Sequence, residues 1–241
     1  MHYLLIHGSW HGAWCWEKLT PYLLANKDQV TCFDLPGSGE KFGEINEVTF
    51  DLLLNTVKDE LIKQTKPVVL IAHSFAGLLT ANLAEEFHHK INHIFYLAAW
   101  LPRKDYSLVD MAVEYNNSDL PSIFSNAPNP NWTQLDTEGA RNFFYHDCGS
   151  EIQNFALSHI KPKNGLPDRT KMKRVFTKNS IHKSTYVLCT EDKVINPLSQ
   201  KDMAIRFGLN SEQIIPFKSG HSPFLSQPEM LAQLIIGVER G

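Results

Sequence analysis

The chain has 241 residues, 43% hydrophobic and 20% charged, with a formal net charge of −3. That suits a single α/β domain carrying an insertion, with enough apolar material for a large core. Charge so close to neutral excludes the strong field that would draw a protein to nucleic acid or to an anionic membrane, and no stretch approaches the ~18 apolar residues of a membrane span.

Short apolar runs alternate with helical stretches along the chain. The runs are residues 3–7, 30–34, 68–72, 94–98, 185–189 and 213–217, and each is nearly continuous rather than alternating. Continuous runs are what parallel strands covered on both faces require. Helices are expected near 14–26, 49–64, 76–89, 197–207 and 228–238; Leu52, Leu53, Val57, Leu61 and Ile62 carry the helical spacing in the second. Repeated β-then-α order predicts an open parallel sheet with helices on both faces. Residues 103–181 break the rhythm with five prolines, many Asn and Ser, helical pieces at 137–146 and 149–160, and no convincing strand. So long a run is not a bare loop. It reads as a helical lid inserted into one domain whose core is residues 1–102 and 182–241.

Cys15, Cys32, Cys148 and Cys189 form no C-x-x-C pair, and no His/Asp/Glu cluster has metal spacing. The opening "HYLLIHG" reads as a core strand and not as a signal peptide. These features indicate a cytoplasmic protein with reduced thiols, in which the sequons at Asn116 and Asn131 carry no weight. Lys171, Lys173 and Arg174 read as a solvated helix face, and His88 and His89 as the end of a helix.

Chemistry is suggested by "PVVLIAHSFAGLL", where Ser74 stands between a strand and a helix. A nucleophile elbow has this context, with small residues two before and two after the serine; here they are Ala72 and Ala76. A serine in front of a helix is more often a cap, so its downstream company decides. Asp192 in "CTEDKVINP" and His221 in "FKSGHSPF" each follow a strand, in the order Ser, acid, His. Glu191 is the rival acid. Asp34, before a Pro-Gly turn, reads as turn chemistry, and His11 and His73 as packing or hydrogen-bonding residues. An oxyanion would take the Phe75 amide and an amide from "IHGSWHGAW", for which we choose Ser9. Apolar residues near the mouth, Trp10, Trp100, Leu101 and Phe124, fit an acyl pocket or lid packing equally well.

Together "HGSWHGAWCWEKL", "FDLPGSG", "AHSFAG", "CTEDKVINP" and "SGHSPFLSQP" resemble the α/β-hydrolase group of plant methylesterases, hydroxynitrile lyases and bacterial esterase relatives; "EGARNFFYHDCG" is similar to the bacterial members. The resemblance spans nearly the whole chain. It implies a six-stranded parallel sheet, a helical lid, no metal, no organic cofactor, a triad of Ser74, Asp192 and His221, and oxyanion amides at Ser9 and Phe75. Lyases of this group carry a lysine after the histidine and a threonine after the first strand; here these are Ser222, which supplies no cation for cyanide, and Gly8, which matches the esterases. The reading is a hydrolase of a small methyl or aryl ester acting through an acyl-enzyme. A lyase and a small-molecule receptor of the same fold are the alternatives. The partner is the small-molecule substrate; the oligomeric state, a homodimer included, stays open.

Overall fold

In the computed structural model, residues 1–24, 28–115, 120–173 and 183–240 are described. Six parallel strands form the central sheet: β1 (His2–Ile6), β2 (Gln29–Cys32), β3 (Val68–His73), β4 (Ile91–Leu97), β8 (Ser184–Cys189) and β9 (Ile214–Phe217). Their order is β2-β1-β3-β4-β8-β9. The expected strands lie within a few residues of these bounds. Chain order reverses between β1 and β3, which leaves a crevice at the carboxyl ends of those two strands. Val68–Ala72 and Tyr3–Ile6 are fully buried, as strands packed on both faces must be.

Helices cover the two faces. Helix α2 (Phe50–Lys63) starts at Thr49, whose hydroxyl oxygen accepts from the Leu52 amide at 3.1 Å. It buries Phe50, Leu53, Val57 and Leu61 and leaves Ile62 exposed. Helix α3 (Ala76–Ala84) is buried on every side, which explains its all-round apolar sequence. It stops before His88 and His89, which fall in a separate 3₁₀ turn. α1 (Thr20–Leu24) follows a 3₁₀ turn, Ala13–Trp16, so the single helix expected at 14–26 is divided.

The insertion departs from expectation in one respect. Besides α4 (Leu108–Glu114), α5 (Thr137–Phe144) and α6 (Ser150–His159), it holds a small antiparallel sheet of β5 (Phe124–Ser125), β6 (Trp132–Leu135) and β7 (Lys163–Asn164). Strands of two to four residues among prolines leave no alternation to read. Lys171 and Lys173 are exposed, on an irregular segment rather than a helix. Arg174, Asn116 and the expected 181/182 boundary lie outside the described residues. The chain ends with α7 (Pro197–Phe207), α8 (Pro223–Ser226) and α9 (Pro228–Arg240). Among the described residues no helix is long and apolar enough to cross a membrane. All four cysteines are free.

A close approach fixes α3 against the sheet. A methyl group on Gly77 would stand 2.4 Å from the Trp100 carbonyl oxygen and 2.9 Å from Ala99 Cβ, whereas one on Gly237 in α9 would meet nothing within 4 Å. Opposite outcomes are expected from the same substitution. Gly237→Ala should stabilise by roughly 0.5–1 kcal/mol through helix propensity. Gly77→Ala should destabilise despite that gain, because backbone must move. Urea unfolding of the two variants checks this.

Candidate active site

Ser74 closes β3 in a left-handed conformation, φ 52°. A non-glycine residue there is strained by about 1–3 kcal/mol and persists only when its surroundings hold it. Here the Ser74 amide donates to the Leu97 carbonyl at 3.1 Å, and its own carbonyl accepts from Trp100 (3.0 Å) and Gly77 (3.1 Å). Ala72 and Ala76 are fully buried beside it, and the demand for absent side chains falls on Gly77 and Gly8. A Cβ on Gly8 would stand 2.7 Å from Ser74 Cβ and 2.9 Å from His73 Nδ1.

The three residues from three loops meet. Ser74 Oγ lies 3.1 Å from His221 Nε2, and His221 Nδ1 lies 2.7 Å from Asp192 Oδ2. A carboxylate only accepts, so Nδ1 carries the hydrogen and Nε2 is left to accept from the serine hydroxyl. Asp192 is held at both oxygens. Oδ1 accepts from the Val194 (2.7 Å) and Ile195 (3.0 Å) amides, and Oδ2 also accepts from Gln200 Nε2 at 2.9 Å. Glu191 instead faces solvent beside Lys218 at 3.9 Å. Asp34 takes the Ala13 (2.6 Å) and Glu40 (2.8 Å) amides, as a turn residue does.

Gln200 was not legible as part of the site. It sits on the buried face of α7 and also bonds the backbone of Cys189 and Ile195. A polar residue on the sheet-facing side of that helix was the available signal. Asp147, from the insertion, was missed too: its Oδ2 accepts from the Gly220 amide at 2.7 Å, next to His221.

The Ser9 and Phe75 amides flank Ser74 from two loops, and among the described residues neither donates to a protein acceptor. The loop bearing Ser9 is fixed from below by His11, whose Nδ1 donates to the Ser9 carbonyl at 2.8 Å while Nε2 accepts from Tyr145 Oη at 2.9 Å. A cavity of about 430 Å³ opens over Ser74, lined by Trp10, Trp100 and Phe124 among others. Leu101 does not line it: it is buried in the core at 2% exposure. Gly8 borders a smaller cavity of about 40 Å³ beside Phe75.

His7, His11 and His73 are buried around the site, and burial pushes each below the ordinary imidazole value, His11 to about 3. The unfolded chain therefore takes up these protons first. Each group costs stability as pH falls below about 6.5; for His11 the slope approaches roughly 1.4 kcal/mol per pH unit and the loss continues down to about pH 3. Urea unfolding should thus weaken steadily between pH 6.5 and 5. His11→Gln should lower that slope by one proton, read from the pH dependence of the unfolding free energy.

Residues 3–234 match the alpha/beta hydrolase family model. Methylesterase 1 of Arabidopsis thaliana is 28% identical over 266 residues, spanning 98% of this chain and 95% of that protein. Salicylic acid-binding protein 2 of Nicotiana tabacum is 27% identical, with 98% and 96% covered. Among solved structures, a pyrethroid hydrolase from Sphingobium faniae superposes with a TM-score of 0.85 at 21% identity, covering 99% of this chain and 97% of that one. With its parallel sheet and the family match over nearly its full length, the chain belongs to the alpha/beta hydrolase family.

Proposed function

We propose that the chain is a serine esterase acting on a small carboxylic ester of methyl or aryl type. The observation that carries this is the hydrogen-bonded line Ser74–His221–Asp192 beneath an apolar cavity. The names of the methylesterases to which it is similar point the same way.

Ser74 Oγ attacks the ester carbonyl carbon while His221 Nε2 takes its proton, and Asp192 stabilises the resulting imidazolium. The carbonyl oxygen, now an anion, accepts from the Ser9 and Phe75 amides. As the tetrahedral intermediate collapses, the C–O bond to the alcohol breaks and His221 protonates the departing oxygen. Water then attacks the acyl-enzyme with the same histidine as base, releasing the acid and restoring Ser74. The described part of residues 103–181 acts as a lid that shapes the cavity, with Trp10, Trp100 and Phe124 against the apolar part of the substrate. The free thiols are consistent with a cytoplasmic setting.

Cyanohydrin cleavage is disfavoured by two positions. Ser222, following the histidine, supplies no cation for a departing cyanide, and Gly8 abuts Ser74 too closely to carry a hydroxyl side chain without the loop moving.

Purified protein should hydrolyse p-nitrophenyl acetate, and a fluorophosphonate should label Ser74. Ser74→Ala should lower kcat by about 10⁴-fold or more with the fold intact. Unchanged turnover would overturn the nucleophile assignment. Binding without turnover across a panel of esters would favour a receptor, and mandelonitrile cleavage at the ester rate would favour a lyase.

A further inference from the structure

The cavity above Ser74 is mostly apolar, yet two cationic residues of the insertion, Lys163 and Arg169, line it, and Lys163 reaches the Ser9 loop. Lys163, in β7, places Nζ 2.8 Å from Ser9 Oγ and 2.6 Å from Asp168 Oδ1. Its ammonium lies 5.0 Å from the Trp10 ring and 5.2 Å from the Phe75 ring. Only 12% of its side chain is exposed, and 13% of that of Asp168. A lysine this enclosed has given up most of its hydration and rotamer freedom, which needs compensation from its partners. Besides Asp168, those partners are Ser9 and Phe75, the two residues whose amides are proposed to receive the oxyanion, and Trp10, the neighbour of Ser9.

The loop it grips is under strain. Trp10 adopts φ 63°, in the left-handed region. The insertion also holds that residue by two further bonds: the Lys161 amide donates to the Trp10 carbonyl at 3.2 Å, and Trp10 Nε1 donates to the Thr133 carbonyl at 3.1 Å. Lys163 adds the one charged group among these ties.

Resting on the esterase reading, we propose that Lys163 is a positioning residue for the oxyanion hole: it fixes the Ser9 loop through the Ser9 hydroxyl and sets a positive charge beside the place where the carbonyl oxygen becomes negative. The charge matters most when that anion forms, so the effect falls on the chemical step more than on substrate binding. Asp168 holds the ammonium in place. It does so at the side of the hole, where an unpaired carboxylate would oppose the reaction.

Lys163→Met leaves that carboxylate uncompensated, and Lys163→Met/Asp168→Asn removes both charges. For p-nitrophenyl acetate, Lys163→Met should lower kcat by roughly 10- to 100-fold, below the ~10²–10³ lost with a direct oxyanion donor. KM should change by less than about 3-fold, because uniform binding is untouched. Lys163→Arg should recover part of kcat, and the double variant should fall between wild type and Lys163→Met. Affinity for a trifluoromethyl ketone, which mimics the tetrahedral anion, should fall in step with kcat. Thermal unfolding of each variant separates loss of fold from loss of positioning. Should Lys163→Met not fold, Ser9→Ala keeps the amide but removes the lysine's acceptor, and its kcat should fall with KM held. A loss confined to KM, or kcat within 2-fold of wild type in folded variants, would overturn the proposal. Failure of the fluorophosphonate to label Ser74 in wild type would instead remove the esterase reading beneath it.

Discussion

The site depends on one backbone constraint: a serine held at φ 52° where β3 turns into α3. Strain of this kind has to be imposed by neighbours. The Leu97 carbonyl and the Trp100 amide, both at the end of β4, fix the turn on one side, and the β1 loop at Gly8 closes against it on the other. The helix behind can come close only because residue 77 lacks a side chain. One result is that Ser74 Oγ stands proud of the sheet where His221 can reach it. Another is that Phe75, whose amide the proposed oxyanion hole uses, directly follows Ser74 as the cap of α3.

The insertion is part of this architecture rather than an ornament upon it. It reaches the Trp10 turn through Lys161 and Thr133, the His11 ring through Tyr145, and the loop carrying His221 through Asp147. Aromatic packing of Trp10 on Phe124 and Phe144, at 5.8 and 5.7 Å between ring centroids, joins the same elements. Each of these contacts has one end in residues 103–181 and the other in a loop at the carboxyl ends of the strands. Cavity shape and loop order are thereby coupled: substitutions in the insertion alter both.

The sheet was legible because its strands are buried on both faces, so each announces itself as a continuous apolar run between helices of different period. Ser74, Asp192 and His221 were legible because the fold brings strand ends to one edge, and residue type and chain order narrow the choice there. What escaped has a common character. Gln200, Asp147 and Lys163 each act through one side-chain bond of 2.7–2.9 Å that only the folded chain makes, to Asp192, to Gly220 and to Ser9, the last two far away in sequence. Nothing local marks them, since a polar residue on a helix or in a proline-rich segment is ordinarily solvated. Leu101 shows the converse: apolar and adjacent to Trp100, it packs into the core and does not line the cavity.

The histidines bring electrostatics and burial together. His73 and His221 have ring centroids 4.7 Å apart, and His11 lies 5.7 Å from His73. A proton arriving in such a cluster could settle on any ring. Burial depresses His11 and His73, the neighbouring His221 depresses both further, and neither ring has a carboxylate partner. His73 donates through Nε2 to the His221 carbonyl at 2.9 Å, which puts the hydrogen of the neutral ring on that nitrogen, and burial keeps the ring neutral. Among these three rings only His221 is joined to a carboxylate, and that carboxylate is anchored by two amides and Gln200. In the proposed reaction, the positive charge formed as Ser74 gives up its proton is therefore held on the ring that returns the proton to the leaving group, while the surrounding imidazoles remain neutral and hold the loops in place.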